Sequence, residues 1–578
     1  MYLIELSANK PSFHTIEFKD GLNFIVGGIK DKSDKEDKTY NGVGKSLLVK
    51  ILHFCLGCKK IKEFEEKLND WEFSLKFQID KEKYTAKRKC SKQEIICLND
   101  KEMTITQFCE IMGNLVFNLD KNNYKYLTYR PLISRFMRPN KSSYDSYDIF
   151  VPKEQDYAKN LCNSYLLGLN AELVNKKREL VTQMKKVSDS KRIFEKDETI
   201  QNFFEKDEKI DVSIVDLEQN INKLKREIEQ FKIADNYYDI KQEADNQQIE
   251  LSEIENDILL LNSAIENVND SLDIKLDISS KKIIEMYEEA KVKLNEMVIK
   301  EIEEVEEFHK KLIENRRKRL VNQKQELLNK REQKEKIRIS ISNKLDKNLE
   351  LLNASGALEE YNALNSKLNQ YISKLEKLNK YKELLEKYKS EINLLNIDIK
   401  KENIRTDEYL KECKKILDRN IIVFRELVQR FYPHKTGGIQ IENDDGDNLN
   451  RFKISASIED DTSDGVNGVK IFCYDYTVLL NGYNHNVRFL FHDSRLFSDI
   501  DPRQKGECIK IADEYTKEYG FQYIATLNED FIDTIGGLYN KDSYEYIKNI
   551  IEDNTILKLT DNNAEGKLLG IQLDLKYE

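Results

Sequence analysis

Residues 22–50, LNFIVGGIKDKSDKEDKTYNGVGKSLLVK, decide the fold that we predict for this chain. The stretch opens with an apolar run at residues 22–26 and closes with an apolar segment that starts at Lys45. Glycines lie between the two segments, at Gly27, Gly28, Gly42 and Gly44. We interpret this order as strand, phosphate-binding loop and helix, because glycines let backbone N–H groups approach phosphates and helix N-termini attract anions.

The residue types after the glycines indicate a nucleotide site. Lys45 would reach the β- and γ-phosphates, and the Ser46 hydroxyl would lie on Mg²⁺. The strict pattern G-x-x-x-x-G-K-[ST] requires a glycine where this chain has Thr39. If Gly27 supplies that glycine, residues 30–38 form an insertion, either a surface loop or a lid over the nucleotide. The residues that we expect at the nucleotide are Gly27, Gly28, Asn41, Gly42, Gly44, Lys45, Ser46 and Leu47.

The composition indicates much exposed helix rather than one large globule. Of the 578 residues, 34% are charged and 39% hydrophobic. The net charge of −10 argues against a protein that coats nucleic acid or membrane over its whole surface, but it is compatible with a local basic patch. No run of about 18 apolar residues occurs, so we expect no membrane span. Without a signal-peptide pattern, we expect a cytoplasmic protein with reduced cysteines.

The centre of the chain predicts long uninterrupted helices. Between Pro152 and Pro433 there is no proline, and the only glycines are Gly168 and Gly356. Apolar residues recur there at alternating spacings of three and four, which is typical of a coiled coil; a stack of separate bundle helices is the alternative. The clearest runs are Ile214, Leu217, Ile221, Leu224, Ile228 and Phe231; Leu251, Ile254, Ile258, Leu261, Ile265 and Val268; and Leu364, Tyr371, Leu378, Leu385, Ile392 and Ile399.

Strand patterns occur only toward the two ends, so we predict an α/β head split by the helical segment. The head would comprise residues 1–165 and 421–578, and residues 166–420 would form an antiparallel coiled-coil hairpin. The hairpin tip is predicted at residues 269–280, where the periodicity breaks, with the break at residues 353–356 as the alternative. The predicted strands are residues 2–6, 14–18, 22–26, 71–79, 84–87, 438–441, 452–457, 469–480, 487–491 and 522–525.

The C-terminal part carries further nucleotide-type motifs. The apolar strand at residues 487–491 ends in His492, Asp493 and Ser494. A strand that ends in acidic residues is where a nucleotide hydrolase keeps its Mg²⁺ ligand and the group that activates water. A second buried strand leads to Asn528. Before both strands, the segment Ser463-Asp464-Gly465-Val466-Asn467 predicts a loop that closes over a nucleotide from a partner subunit.

This order of parts resembles the SMC/RecN group of ATP-binding-cassette (ABC) ATPases over essentially the whole chain. It is most similar to a bacterial branch with an insertion in the phosphate loop and a His-Asp strand end. The resemblance implies a split ABC-type P-loop ATPase head that binds ATP and Mg²⁺ and forms a homodimer around the nucleotide. Ser463 and Gly465 would form the signature-like loop that touches the partner's ATP, and Asp499 would match the aspartate loop that crosses the dimer.

The resemblance also implies the catalytic positions. His492 and Asp493, at the end of a Walker B-like strand, would take the positions of the Mg²⁺ ligand and the catalytic carboxylate. If the register shifts, Asp493 itself binds Mg²⁺. Gln155 resembles the glutamine that senses Mg²⁺ and the γ-phosphate, and Asn528 lies nearest to the missing switch histidine.

The His-Asp strand end and the missing switch histidine are departures from the family pattern. They predict a slow ATPase that is used as a switch. The expected client is DNA, in genome maintenance or in anti-phage or anti-plasmid defence, and this expectation rests on family analogy alone. The alternative is a catalytically weak ATP-binding sensor or scaffold whose coiled coil recruits a partner effector protein.

Two groups of basic residues leave alternatives open. Arg88, Arg130, Arg135 and Arg138 would form either a DNA-facing surface of the head or salt bridges to the acidic C-terminal half. The basic stretch at residues 309–319 would either track phosphates along a helix or form a solvated coil face.

Overall fold

The computed structural model of the chain describes residues 1–28, 42–119, 124–196, 210–229, 237–273, 296–353, 358–460, 464–536 and 541–571. Within these ranges the chain forms two units, residues 1–190 with 390–578, and residues 191–389. Strands of the first unit come from both ends of the sequence. The expected α/β class, with long helices between the strand-rich ends, is confirmed.

The N-terminal elements alternate strands with short helices. In chain order they are β1 (Tyr2–Ala8), β2 (Ile16–Glu17), β3 (Gly21–Gly28), α1 (Lys45–Cys55), α2 (Lys62–Lys67), β4 (Glu72–Ile79), β5 (Glu82–Lys89), β6 (Ile95–Leu98), β7 (Lys101–Thr104), α3 (Ile105–Phe117), α4 (Tyr129–Ser134) and α5 (Asp156–Leu166). The central helices are α6 (Ala171–Glu195), α7 (Ile210–Glu229), α8 (Tyr237–Asp273), α9 (Glu296–Asn353) and α10 (Leu358–Glu412).

The C-terminal elements return to the α/β pattern. They are α11 (Lys414–Phe431), β8 (Gly437–Asn443), β9 (Phe452–Ile458), α12 (Asp464–Asn481), β10 (Phe489–His492), α13 (Pro502–Tyr519), β11 (Gln522–Asn528), α14 (Asp530–Ile535), α15 (Lys541–Asp553) and β12 (Thr555–Thr560). Strands β6, β7 and β12 were not predicted from the sequence.

A parallel sheet joins the two ends of the chain. Its strand order among the described residues is β10-β11-β3-β12, and every neighbouring pair is parallel. Strand β3 is buried almost throughout, with Phe24 and Ile25 fully enclosed. A continuous apolar run is what a strand buried on both faces requires. A second, antiparallel sheet has the order β2-β1-β4-β5-β6-β7.

One predicted strand is wrong. Residues 469–480 lie in helix α12, not in a strand. Because residues 471–479 are all buried, the helix is enclosed on nearly every side and the run does not show the helical period. The length of the run at residues 469–480 indicated a helix, because a strand usually has about 4–8 residues.

The unit of residues 191–389 contains antiparallel helix contacts. Lys334 of α9 donates to Asp257 of α8 at 2.7 Å, and Asn348 donates to Gln247 at 3.1 Å. One residue number rises as the other falls, so α8 and α9 run in opposite directions. Helices α7 and α10 bury the predicted seam residues Ile214, Leu217 and Leu378 together.

The predicted hairpin tip falls largely outside the described residues. Helix α8 ends at Asp273, and residues 274–280 are not among those described. At the alternative break, α9 ends at Asn353 and α10 begins at Leu358, while residues 354–357 lie outside the described ranges. Among the described helices, none is both long enough and apolar enough to cross a bilayer.

Chemical cross-linking tests the antiparallel pairing of α8 and α9. Cysteines at Asp257→Cys and Lys334→Cys should join within one chain through a short bis-maleimide, because the two native side chains touch. The control pairs Asp257→Cys with Lys347→Cys, which lies 13 residues further along α9, or about 20 Å. Mass spectrometry should find the first cross-link and not the second; equal yields would contradict the register.

Candidate functional site

Two glycines just before α1, Gly42 and Gly44, have left-handed backbone conformations. Gly44 caps α1 with a φ of 105°, a left-handed conformation that favours glycine. A Cβ atom there would also lie 2.6 Å from the Leu568 side chain. Gly42 has a φ of 82°. Asn41 and the predicted insertion, residues 30–38, lie outside the described residues.

Lys45 reaches back from α1 over the end of β3. Its Nζ would lie 2.5 Å from a Cβ atom on Gly27, so a side chain at residue 27 would displace the ammonium group from this position. Burial lowers the pKa of Lys45 to about 8, and the carboxylates of Asp493 and Asp530 partly oppose that shift. The ammonium group is therefore held at the ends of the strands, within electrostatic reach of both carboxylates.

The N-terminus of helix α1 also lies at this end of β3, because the helix begins at Lys45. Ser46 is the second residue of the helix and is half-buried, whereas Leu47 is buried in the core. Leu47 can therefore offer a ligand only its backbone N–H. The first N–H groups of a helix have no partner within the helix, and together with the helix dipole they favour an anion.

Among the described residues, two side chains that each carry one unpartnered buried oxygen lie at the ends of the neighbouring strands. Asp493 follows β10 and is fully buried, and its Oδ2 has no hydrogen-bond partner. Asn528 ends β11, pairs in register with Gly27, and has an unpartnered buried Oδ1. Leaving a buried oxygen unsatisfied costs about 1–3 kcal/mol. Carboxylate and amide oxygens are among the ligands that hard cations accept.

The rest of the Asp493 side chain and its backbone are held in place. Its Oδ1 accepts a hydrogen bond from the Arg495 backbone N–H at 3.1 Å. Its own backbone N–H donates to the Tyr144 hydroxyl at 2.8 Å, and the next N–H, of Ser494, donates to Thr526 Oγ1 at 2.8 Å. The orientation of Asp493 is therefore set by β11 and by the segment that contains Tyr144.

His492 points into a different environment from Asp493. Its Nε2 lies 3.1 Å from Asp475 Oδ2, and its Nδ1 lies 3.1 Å from the Tyr523 hydroxyl. Burial lowers the pKa of His492, although Asp475 opposes the shift, so the ring is neutral at pH 7. Because a carboxylate only accepts, Nε2 donates to Asp475 and Nδ1 accepts from Tyr523. Both ring nitrogens are therefore engaged by buried side chains of the same unit.

Asp475 also forms a buried ion pair with Arg138. Arg138 Nη2 lies 2.7 Å from Asp475 Oδ1, and Arg138 Nε approaches the second oxygen. Both side chains are at most 1% exposed. The remaining N–H groups of Arg138 donate to backbone carbonyls, including that of Tyr147 at 2.7 Å. This pair joins α12 to the segment that supplies Tyr144.

The other predicted site residues lie as follows. Gln155 is exposed at the start of α5. Gly465 belongs to the first turn of α12 rather than to a loop, and a Cβ atom on it would lie 2.8 Å from the Asp499 carbonyl oxygen. Asp499 is exposed and accepts a hydrogen bond from the Ser498 hydroxyl at 3.0 Å. Ser463 lies outside the described residues.

The structure adds acidic residues that we did not predict as functional. The backbone N–H of Glu529 donates to the Gly27 carbonyl at 2.9 Å, and its Oε2 would lie 2.8 Å from a Cβ atom on Gly28. Asp530, the first residue of α14, is exposed and raises the pKa of Lys45. Both residues follow β11 directly. The order of the strands in the sheet, in which β11 lies between β10 and β3, was the signal that could have identified them.

The DNA-facing interpretation is wrong for three of the four arginines. Arg88, Arg135 and Arg138 are each at most 2% exposed. Arg88 donates to the carbonyl of Phe54 at 2.7 Å, and Arg135 pairs with Glu154. Of these three, Arg138 forms the expected bridge to the C-terminal half.

The match to a protein family covers only part of the chain, and the matches to solved structures have low TM-scores. Residues 427–573 match a family described as "Uncharacterised protein conserved in bacteria (DUF2326)". No curated protein matches the chain. Solved structures that align with it include the Smc head domain with a coiled coil and joint from Pyrococcus yayanosii, at 15% identity and a TM-score of 0.34, covering 93% of each chain.

A second such structure is the Smc head domain with an extended coiled coil bound to the C-terminal domain of ScpA, from Pyrococcus furiosus. Its identity is 12% and its TM-score 0.33, over 92% of this chain and 90% of that one. The SmcHead bound to the C-winged helix domain of ScpA aligns at 8% identity and a TM-score of 0.33, over 93% and 91%.

The buried ion pair predicts a large effect on stability. Asp475→Asn leaves the Arg138 guanidinium buried without a charged partner, so the free energy of unfolding should fall by about 3–5 kcal/mol. Urea denaturation of the full chain measures it. Glu5→Gln, which breaks an exposed pair with Lys76 in the same unit, should cost less than about 1 kcal/mol. Equal losses in the two variants would contradict the role of the buried pair.

Proposed function

We propose that this chain is an ATPase of the SMC/RecN-like type that binds ATP and Mg²⁺ at the ends of β3, β10 and β11. One observation carries the proposal: the glycine loop, Lys45 and the N-terminus of α1 lie at the strand edge where Asp493 and Asn528 hold unpartnered oxygens. The proposed head comprises residues 1–165 and 421–578, with the antiparallel coil of residues 166–420 between them.

Each residue has a role that its position supports. Lys45 holds the β- and γ-phosphates, and the N–H groups from Gly44 to Leu47 surround the phosphate oxygens. Ser46 and Asp493 hold Mg²⁺ with the phosphates, directly or through water, and Asn528 positions the γ-phosphate or its water. When bound, Mg²⁺ neutralises charge that develops on the transferred phosphoryl group. Gln155 would join the site only if its exposed side chain turns toward it.

The dimer is the second part of the proposal. Ser463 and Gly465 of one chain contact the ATP held by a second copy, and Asp499 crosses the same interface. The proximity of Gly465 to the Asp499 carbonyl supports this, because the two segments assigned to the interface adjoin each other. DNA is the proposed client, in genome maintenance or in defence against phage and plasmids, by family analogy alone.

A second candidate function is an ATP-binding sensor that turns over weakly and recruits a partner effector through its coil. One observation favours it. His492, which occupies one of the two expected acidic positions, has both ring nitrogens engaged by Asp475 and Tyr523. The end of β10 therefore offers the nucleotide one carboxylate, Asp493, which is consistent with slow hydrolysis.

Steady-state ATP turnover separates these functions. The purified chain should hydrolyse ATP slowly, and linear double-stranded DNA should raise the rate. Lys45→Ala should abolish binding, and Asp493→Asn should lower turnover by at least about 100-fold, because both alter charges at the phosphates. Lys76→Ala, an exposed lysine of the same unit, is the matched control. Tight ATP binding without turnover would overturn the ATPase in favour of the sensor.

The lowered pKa of Lys45 predicts that ATP affinity depends on pH. Phosphate binding favours the charged ammonium group, so it raises a pKa that burial holds at about 8 in the free protein. ATP affinity should be highest below this pH. It should fall as the pH rises above this value, by up to about tenfold per pH unit. Lys45→Arg should remove the fall, since guanidinium stays charged. Calorimetric titration measures the affinity; a flat profile in the unsubstituted chain would contradict the prediction.

A further inference from the structure

The end of strand β10 provides one acidic side chain for the proposed reaction. Asp493 is followed by Ser494, whose backbone N–H is bonded to Thr526. His492, before it, is engaged with Asp475 and Tyr523. If Asp493 holds Mg²⁺, a different group must accept the proton of the attacking water.

Glu529 is a carboxylate that the fold brings to the end of β3, where the phosphate loop begins. Its backbone N–H bonds to the carbonyl of Gly27 at 2.9 Å, so its position is tied to the start of the loop. Its Oε2 lies so near Gly28 that a Cβ atom there would be 2.8 Å away. The side chain is half-buried, between the core and the solvent.

The strand order places Glu529 between the metal position and the loop. Strand β11 lies between β10 and β3. Neighbouring strands are about 4.8 Å apart, so the end of β10 and the start of the loop are separated by about 10 Å. Glu529, which follows β11, therefore lies beside the space that a γ-phosphate would occupy between Lys45 and Asp493.

We propose that Glu529 is the general base of this site, an inference that rests on the proposed ATPase function. A water molecule attacks the γ-phosphorus and loses its proton to the Glu529 carboxylate. A new P–O bond forms, the bond between the γ-phosphorus and the β,γ-bridging oxygen breaks, and ADP and inorganic phosphate leave. The proton then passes from Glu529 to solvent or phosphate, so the carboxylate is restored.

Asp530 is the nearest competing carboxylate, and its position suits it less. Its side chain is exposed at the first residue of α14, and it raises the pKa of Lys45. Glu529, in contrast, is held at the end of β3, where its backbone N–H bonds to the Gly27 carbonyl and its carboxylate lies close to Gly28. A positioned base needs this kind of fixed geometry.

The test measures ATP affinity and turnover for Glu529→Gln in the full chain. The amide keeps the size of the side chain but accepts a proton poorly, so turnover should fall by at least about 100-fold while ATP affinity stays within about threefold. Glu529→Asp should keep partial activity. Asp533→Asn, an exposed carboxylate on the same short helix, is the control and should turn over ATP at the unsubstituted rate.

The other outcomes distinguish the two proposals. If the unsubstituted chain hydrolyses ATP and Glu529→Gln does so equally fast, Glu529 is not the base, and the ATPase proposal stands. If Glu529→Gln loses ATP affinity along with turnover, the residue supports binding, and the base assignment is overturned. If the unsubstituted chain binds ATP without turnover, the ATPase function and the base assignment both fail.

Discussion

The position of β3 between β11 and β12 is the constraint on which the rest of the α/β unit depends. This parallel pairing, from Gly21–Gln522 to Gly28–Thr560, aligns residues more than 500 positions apart in the sequence. Parallel strands end at the same edge of a sheet, and ligands of open α/β sheets bind beyond that edge. The loop, Asp493 and Asn528 meet there because three strands end together, although β3 ends more than 450 residues before β10 begins.

The buried ion pair of Arg138 and Asp475 connects the elements that hold the site residues in place. It joins the segment that holds Asp493 through Tyr144 to helix α12, whose first turn carries Gly465. His492 contacts the same carboxylate. His492 therefore has a structural role in this buried network. The network also gives a contiguous series of contacts between the proposed dimer interface and Asp493.

Much of this arrangement could be predicted from local patterns. The apolar run, glycines, lysine and serine indicated the strand, loop and helix, because each has its own spacing rule. The orientation of His492 could also be predicted from the sequence, because Asp493 follows it directly and successive residues of a strand point to opposite faces. Residues 469–480 were misassigned because a helix buried on nearly all sides loses its period. Glu529 could not be selected without strand order, which depends on pairings between distant segments.

Hydrogen–deuterium exchange of the full chain, with and without a non-hydrolysable ATP analogue and Mg²⁺, tests the central claim most directly. The claim is that one nucleotide site spans three strand ends. It predicts slower exchange together at residues 44–48, 493–496 and 526–531, with no change in the β8–β9 hairpin of the same unit. Analogue binding without protection of residues 44–48 would contradict it, as would protection confined to the hairpin.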